Sequence, residues 1–239
     1  MLQKDIWKNH TDSISVDDIN NALLNPVEFQ IEFSHFLSEL AKKEDSKKVI
    51  EIGCEQGIIT MLLEDGLERH LLDFNEDITL KLEKFKEKYG HDLNIHCQDM
   101  FKMNFQDGKF DLVYNAGVAE HYSYDERVTL LKEYSRVLKK DGMMVIAIPN
   151  HYSVPYRLAY IFHNYILFGR FWPWPKEKKI YDMKEEINES GLQFVTRTVL
   201  AKKTAFKFWR PFTFLKTMFE YFDSKFNYEG YLTVIVIRK

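Results

Sequence analysis

Cysteine is scarce. Cys54 and Cys97 are the only two in 239 residues. They supply neither a disulfide framework nor the closely spaced ligand sets of a structural metal, so no catalytic metal is expected. No run approaches the roughly 18 apolar residues of a membrane-spanning helix. The opening MLQKDIWKNHTDS is polar and lacks the apolar core of a signal peptide. Those absences together predict a chain of the reducing cytoplasm. Excess positive charge is missing too. The net charge is −3, which disfavours nucleic acid as the partner. Glycine (10) and proline (6) are too few for a flexible linker or a low-complexity tract.

What is abundant is the aromatic ring. Phe, Tyr and Trp number 19, 13 and 4, and 22 of these 36 fall in residues 150–231. The first 46 residues carry apolar side chains at helical spacing in VDDINNALL (16–24) and VEFQIEFSHFLSELAKK (27–43). They are read as an N-terminal helical lid. From residue 47 strand and helix patterns alternate. The strands are KKVIEIG (47–53), ERHLLDF (68–74), LNIHCQD (93–99), KFDLVYNAG (109–117) and MMVIAIPN (143–150). The helices are 58–63, 78–90 and 125–142. LQFVTRTVL (192–200) and YLTVIVIRK (231–239) add two strands, with a short helix at 182–191 before them. This alternation predicts an α/β, doubly wound, mostly parallel sheet. In such sheets ligands bind beyond the carboxyl ends of the strands.

The strand ends are therefore the informative positions. VIEIGCEQG (49–57) runs from a strand through a glycine turn into a helix. Gly53 permits a sharp turn and a close ligand approach, and Gly57 permits close helix packing. Glu51 could accept hydrogen bonds from an ammonium group or from loop N–H groups. Asp73 could accept from a ribose diol, or cap the next helix, a task Asn75 could also perform. Asp99 could accept from an adenine amino group while Met100 packs on the ring. Each acid alone reads as structural. Three acids at three successive strand ends point to a shared ligand.

The run VIEIGCEQG, LLDFN, CQDM, FDLVYNAGVAEHY and YSRVLKKDGMMVIAIPN resembles the class I S-adenosylmethionine-dependent methyltransferases over residues 47–150. The terminal strands resemble that family's seven-stranded sheet with an antiparallel last strand. The resemblance implies S-adenosyl-L-methionine as cofactor. It implies that Gly53, Cys54 and Gly57 wrap its methionine part and that Asp73 holds the ribose with Phe74 beside the adenine. Asp99 and Met100 would frame the adenine, and Asn115 and Ala116 would lie along the methionine moiety. The family usually has glycine where this chain has Glu55. That acid could face solvent, pair with the cofactor's ammonium or crowd the loop.

Methyl transfer needs positioning above all, and a base only for a poorly ionised acceptor. His121 is the candidate base. Against it stands the fact that such an EH pair is common in the family whatever the substrate. Tyr122, His151 and Tyr152 are alternates on neighbouring loops, and His10 could reach in from the lid. Residues 47–239 form the catalytic domain, with cap insertions at about 151–180 and 202–230. Tyr156, Trp172 and Trp174 in the first insertion could line an acceptor pocket, or be the cap's own core or a homodimer interface. No acid occurs from Ser190 to Phe219, where Arg197, Lys202, Lys203, Lys207, Arg210 and Lys216 lie. That pattern suits an acidic substrate, weak contact with a membrane surface, RNA, or simply a solvated basic face. The expected activity is methylation of N or O on a small apolar or aromatic acceptor. RNA methylation and a non-catalytic scaffold are the alternatives.

Overall fold

A computed structural model describes residues 11, 13–168, 175–209 and 212–239. Its seven strands are β1 (Lys48–Ile52), β2 (Glu68–Asp73), β3 (Asn94–Cys97), β4 (Phe110–Ala116), β5 (Leu138–Pro149), β6 (Gln193–Leu200) and β7 (Leu232–Arg238). They form one sheet in the order β3-β2-β1-β4-β5-β7-β6. β1 to β5 pair in parallel, whereas β7 runs antiparallel to both β5 and β6. The α/β, seven-stranded expectation with an antiparallel last strand holds.

Both faces of the sheet are covered, which explains why its central strands are almost wholly apolar. Helices α1 (Val16–Leu24), α2 (Glu28–Lys43), α3 (Ile58–Met61), α4 (Glu76–Tyr89) and α5 (Tyr124–Val137) accompany the parallel strands. Leu130, Leu131 and Tyr134 of α5 pack with Ile50, Val113 and Ile146 on one face. Phe33 and Leu37 of α2 pack with Val49, Leu112 and Tyr114 on the other. Adjacent β4 residues thus enter opposite cores, the period-two rule of a strand. Ile19 of α1 joins Ile78 and Leu82 of α4. Local signals set the helix starts. Ser15 with Asp18, and Ser123 with Glu126, form capping boxes for α1 and α5, while the Asn75 side chain caps α4.

Several boundaries shift by a few residues from the sequence expectation, and one differs more. The helix expected over 125–142 stops at Val137, and Leu138 already pairs with Phe110 in β5. Leu138 is fully buried. Its place in the core is gained in the extended conformation, and the polar residues after it form an irregularity in β5, with Asp141 at φ 62°, before Met143 pairs with Leu112. Charge order along the segment suits a longer helix, but burial of Leu138 decides.

The late insertions pack on each other. The first contains α6 (Val154–Ile161) and a π-helical turn (Phe162–Ile166), followed by α7 (Lys184–Glu189) before β6. The second contains α8 (Lys202–Lys207) and α9 (Thr213–Phe226). Ala159, Phe206, Trp209 and Phe219 form a small core flanked by Phe162 and Phe212. Trp209 Nε1–H donates to the Pro155 carbonyl at 2.9 Å, so even the polar edge of its ring joins the two insertions. Much of the aromatic surplus is therefore the cap's own interior.

Candidate active site

The carboxyl ends of β1, β2 and β4 converge on a cleft. It is lined by Gly53, Asp73, Phe74, Met100, Ala116, His121 and Tyr122, as the sequence suggested, and also by Thr11, Glu55, Asn75, Gly117 and Val118. The glycine turn is a cradle that a side chain would fill. At Gly53 φ is +71°, and a Cβ would meet Val118 at 2.8 Å. Asp73, 8% exposed, receives two backbone N–H groups, from Glu55 to Oδ2 at 3.1 Å and from Asn75 to Oδ1 at 3.0 Å. Burial raises its carboxyl above the ordinary range, and those N–H groups oppose the rise. Asn75 is the helix cap, which leaves Asp73 on the cleft wall.

Other candidates lie behind or beside this wall. Glu51 is buried and accepts from the Thr60 backbone N–H at 3.2 Å and from the Thr60 hydroxyl. The hydroxyl in turn contacts the Tyr114 hydroxyl at 2.6 Å. Burial pushes Glu51 up to about 7. Its carboxyl therefore braces α3 against β4 and does not line the cleft. Cys54 is buried, and burial raises its thiol well above the ordinary value. Gly57 sits under Leu71 at the start of α3. Asn115 is fully buried, its amide N–H donating to the Tyr134 hydroxyl at 3.2 Å. Asp99 is exposed and accepts from the Phe101 backbone N–H at 3.0 Å, closing a turn. Cys54, Gly57, Asn115 and Asp99 are likewise absent from the cleft lining.

A second cavity of about 270 Å³ adjoins the first and shares Glu55, Ala116, Gly117 and His121 with it. Phe29 of α2, Tyr156 of α6, Phe208 and Tyr231 supply its rings, and Glu120 and Glu177 its further acids. Sequence reading named Tyr156 here. It missed Phe29, Glu120, Glu177, Phe208 and Tyr231, which come from distant segments without a common motif. The second insertion is tied down from below, because Glu28 of α2 accepts from the backbone N–H and hydroxyl of Thr204. His121 spans both cavities. Its Nδ1 lies 3.4 Å from the Lys176 carbonyl, and burial holds the ring below its ordinary pKa, hence neutral at pH 7.

His151 is buried behind the chamber, with Nε2 3.0 Å from Glu177 and Nδ1 3.3 Å from Arg157. Tyr152 points outward, 42% exposed, against Tyr181 and the Lys179 ammonium. Tyr122 packs edge-on to Phe101, and burial pushes its hydroxyl up to about 12. His10, Trp172 and Trp174 lie outside the described residues. Among those described, no group of His, Cys, Asp and Glu side chains could hold a metal, and no helix is long and apolar enough to cross a membrane. Three of the basic residues of 197–216 meet acids. Arg197 pairs with Glu229, Lys202 with Asp223 and Lys216 with Glu220. None of these three lines either cavity.

Comparison with known proteins agrees with this fold. Residues 50–146 match the family model described as a methyltransferase domain. An uncharacterized protein of Haemophilus influenzae is 29% identical over 103 residues, and the match spans 41% of each chain. The demethylmenaquinone methyltransferase of Staphylococcus haemolyticus is 28% identical over 177 residues, 70% of this chain and 71% of that one. The fold superposes with a TM-score of 0.61 on an S-adenosylmethionine-dependent methyltransferase from Clostridium acetobutylicum, over 92% of this chain and 96% of that one at 13% identity. Residues 50–146 thus match a methyltransferase domain, and the fold resembles that of the class I S-adenosylmethionine-dependent methyltransferases.

Proposed function

We propose that this chain transfers a methyl group from S-adenosylmethionine to an N or O atom of a small acceptor with an apolar or aromatic body. The observation that carries the reading is the meeting of the two cavities at Glu55, Ala116, Gly117 and His121. The cleft over β1 and β2 suits the donor. Its glycine cradle admits backbone contact, Asp73 can accept from ribose hydroxyls, and Phe74 and Met100 offer apolar faces to a base. When bound, the cofactor supplies an electrophilic methyl sulfonium. The protein's task is then to orient the acceptor and exclude water. The neutral His121 imidazole can take a proton where the acceptor must lose one.

Calorimetric titration with S-adenosylhomocysteine is the first test, followed by methyl-transfer assays on panels of small phenols, carboxylic acids and amines. Saturable cofactor binding and transfer to one such class support the reading. A folded protein that binds no S-adenosylhomocysteine, or one that methylates RNA alone, refutes it. The pairing of Arg197, Lys202 and Lys216 with acids gives RNA no specific support.

A further inference from the structure

The charge inside the acceptor chamber is one-sided. Glu55, Glu120 and Glu177 line it, with His121 as the other titratable wall group apart from tyrosines, and among the described residues no lysine or arginine lines it. Glu120 is 1% exposed, and the Glu177 side chain 6%. Glu177 is held from behind, accepting from the Tyr156 hydroxyl at 2.6 Å with His151 Nε2 at 3.0 Å. Glu120 is less satisfied. Its Oε1 is 3.7 Å from His121 Nε2, and its Oε2 is buried with no hydrogen-bond partner. A Cβ at Gly117 would lie 3.7 Å from Glu120 Oε1, which puts this carboxyl at the junction with the donor cleft.

Around these acids stand four rings. Tyr231 is 5.7 Å from Phe29, 5.0 Å from Tyr156 and 5.2 Å from Phe208, centroid to centroid, and Tyr156 is 4.9 Å from Phe208. Burying an orphan carboxyl oxygen beside a second acid is unfavourable unless a cation or donor arrives to meet it. Aromatic faces next to buried carboxylates match one ligand chemistry well, a nitrogen cation wrapped in carbon.

We propose that the acceptor is a small amine bearing an N–H, captured in this chamber as its ammonium ion by Glu120 and Glu177 within the ring cage of Phe29, Tyr156, Phe208 and Tyr231. His121, on the wall of both cavities, would take the ammonium proton, and with the cofactor bound the freed lone pair would form the new N–C bond as the sulfonium C–S bond breaks, leaving S-adenosylhomocysteine. This deepens, and rests on, the methyltransferase reading of the same site. The titration of Glu120 agrees: burial first, and then the charge of Glu177, raises it well above the usual carboxylate range. That is the behaviour of an acid lacking its counter-cation. An acidic acceptor meets the reverse situation, since three glutamates would face it.

The test uses the full chain saturated with S-adenosylhomocysteine and compares choline with its uncharged isostere 3,3-dimethyl-1-butanol by calorimetry. The expected result is choline binding at least about tenfold tighter. Glu120→Gln and Glu177→Gln, checked for folding by thermal melt, should each cut that preference about fivefold or more. Phe208→Leu, which leaves both acids in place, should weaken choline more than the alcohol. Equal affinity for the two probes, no choline binding, or tighter binding of benzoate overturns the proposal. The preceding S-adenosylhomocysteine titration separates the two readings. Cofactor binding without choline preference removes only the amine assignment. Choline preference without cofactor binding removes the methyltransferase reading and leaves a cation site.

Discussion

The backbone N–H of Glu55 donates to Asp73 Oδ2 at 3.1 Å, so the acid at the end of β2 fastens the loop at the end of β1. One carboxylate thereby shapes the glycine turn and faces the first cleft. Asp73→Ala should weaken S-adenosylhomocysteine binding by about 1.5–3 kcal/mol, roughly tenfold to over a hundredfold, through lost charge-assisted bonds and a loosened loop. Calorimetry checks it, and unchanged affinity removes the ribose assignment.

Glu51 predicts a dependence of stability on pH. Its folded pKa is raised from 4.5 to about 7 by burial. The folded chain thus holds a proton that the unfolded chain has released between those values. Stability from this group is present below about pH 4.5 and lost as pH rises through 7. At about 1.4 kcal/mol per unit the swing is on the order of 3 kcal/mol. Glu51→Gln should gain on the wild type by that order between pH 5 and pH 8 in urea melts. A parallel pH response of the two proteins would contradict the assignment.

Gly57 and Gly90 both have positive φ, +67° and +72°. A Cβ at Gly57 would meet Leu71 Cδ1 at 2.7 Å, whereas at Gly90 nothing lies within 4 Å. Gly90→Ala should cost about 1 kcal/mol of backbone strain. Gly57→Ala should cost about 2–4 kcal/mol, strain plus crowding. Denaturation midpoints of the two variants measure the difference, and equal losses would show that Leu71 simply moves aside.

The Arg127 guanidinium links the site to its scaffold. It pairs with Glu186 of α7, both side chains buried, and donates to the Tyr122 carbonyl at 2.8 Å. Glu186→Gln should destabilise by about 3 kcal/mol or more, because a buried cation loses its counter-charge. It should also loosen the Tyr122 wall of the first cleft. Chemical denaturation and cofactor titration read the two effects, and a loss under 1 kcal/mol argues that Arg127 finds other partners.

Amino-acid order alone determined the alternation of strands and helices, the glycine turn at Gly53 and the acid at Asp73, because each is local: side-chain periodicity, a backbone angle, a strand end. It misjudged the end of α5, where burial of Leu138 outweighs the helix-compatible charges beside it. It could not separate a strand-end acid that faces a cleft from one that faces the core. Glu51 and Asp73 look alike in sequence, yet one meets Thr60 and the other the cleft. The tertiary structure alone decided the second cavity. Phe29, Glu120, Tyr156, Glu177, Phe208 and Tyr231 come from six separated segments, and only the packing of α2 and both insertions over the end of β4 brings them together. The aromatic surplus is divided by the same packing: some described cap rings form the cap's own clusters, others such as Phe168 and Phe214 are exposed, and a few turn inward. Beside those few, buried acids give the chamber its charge.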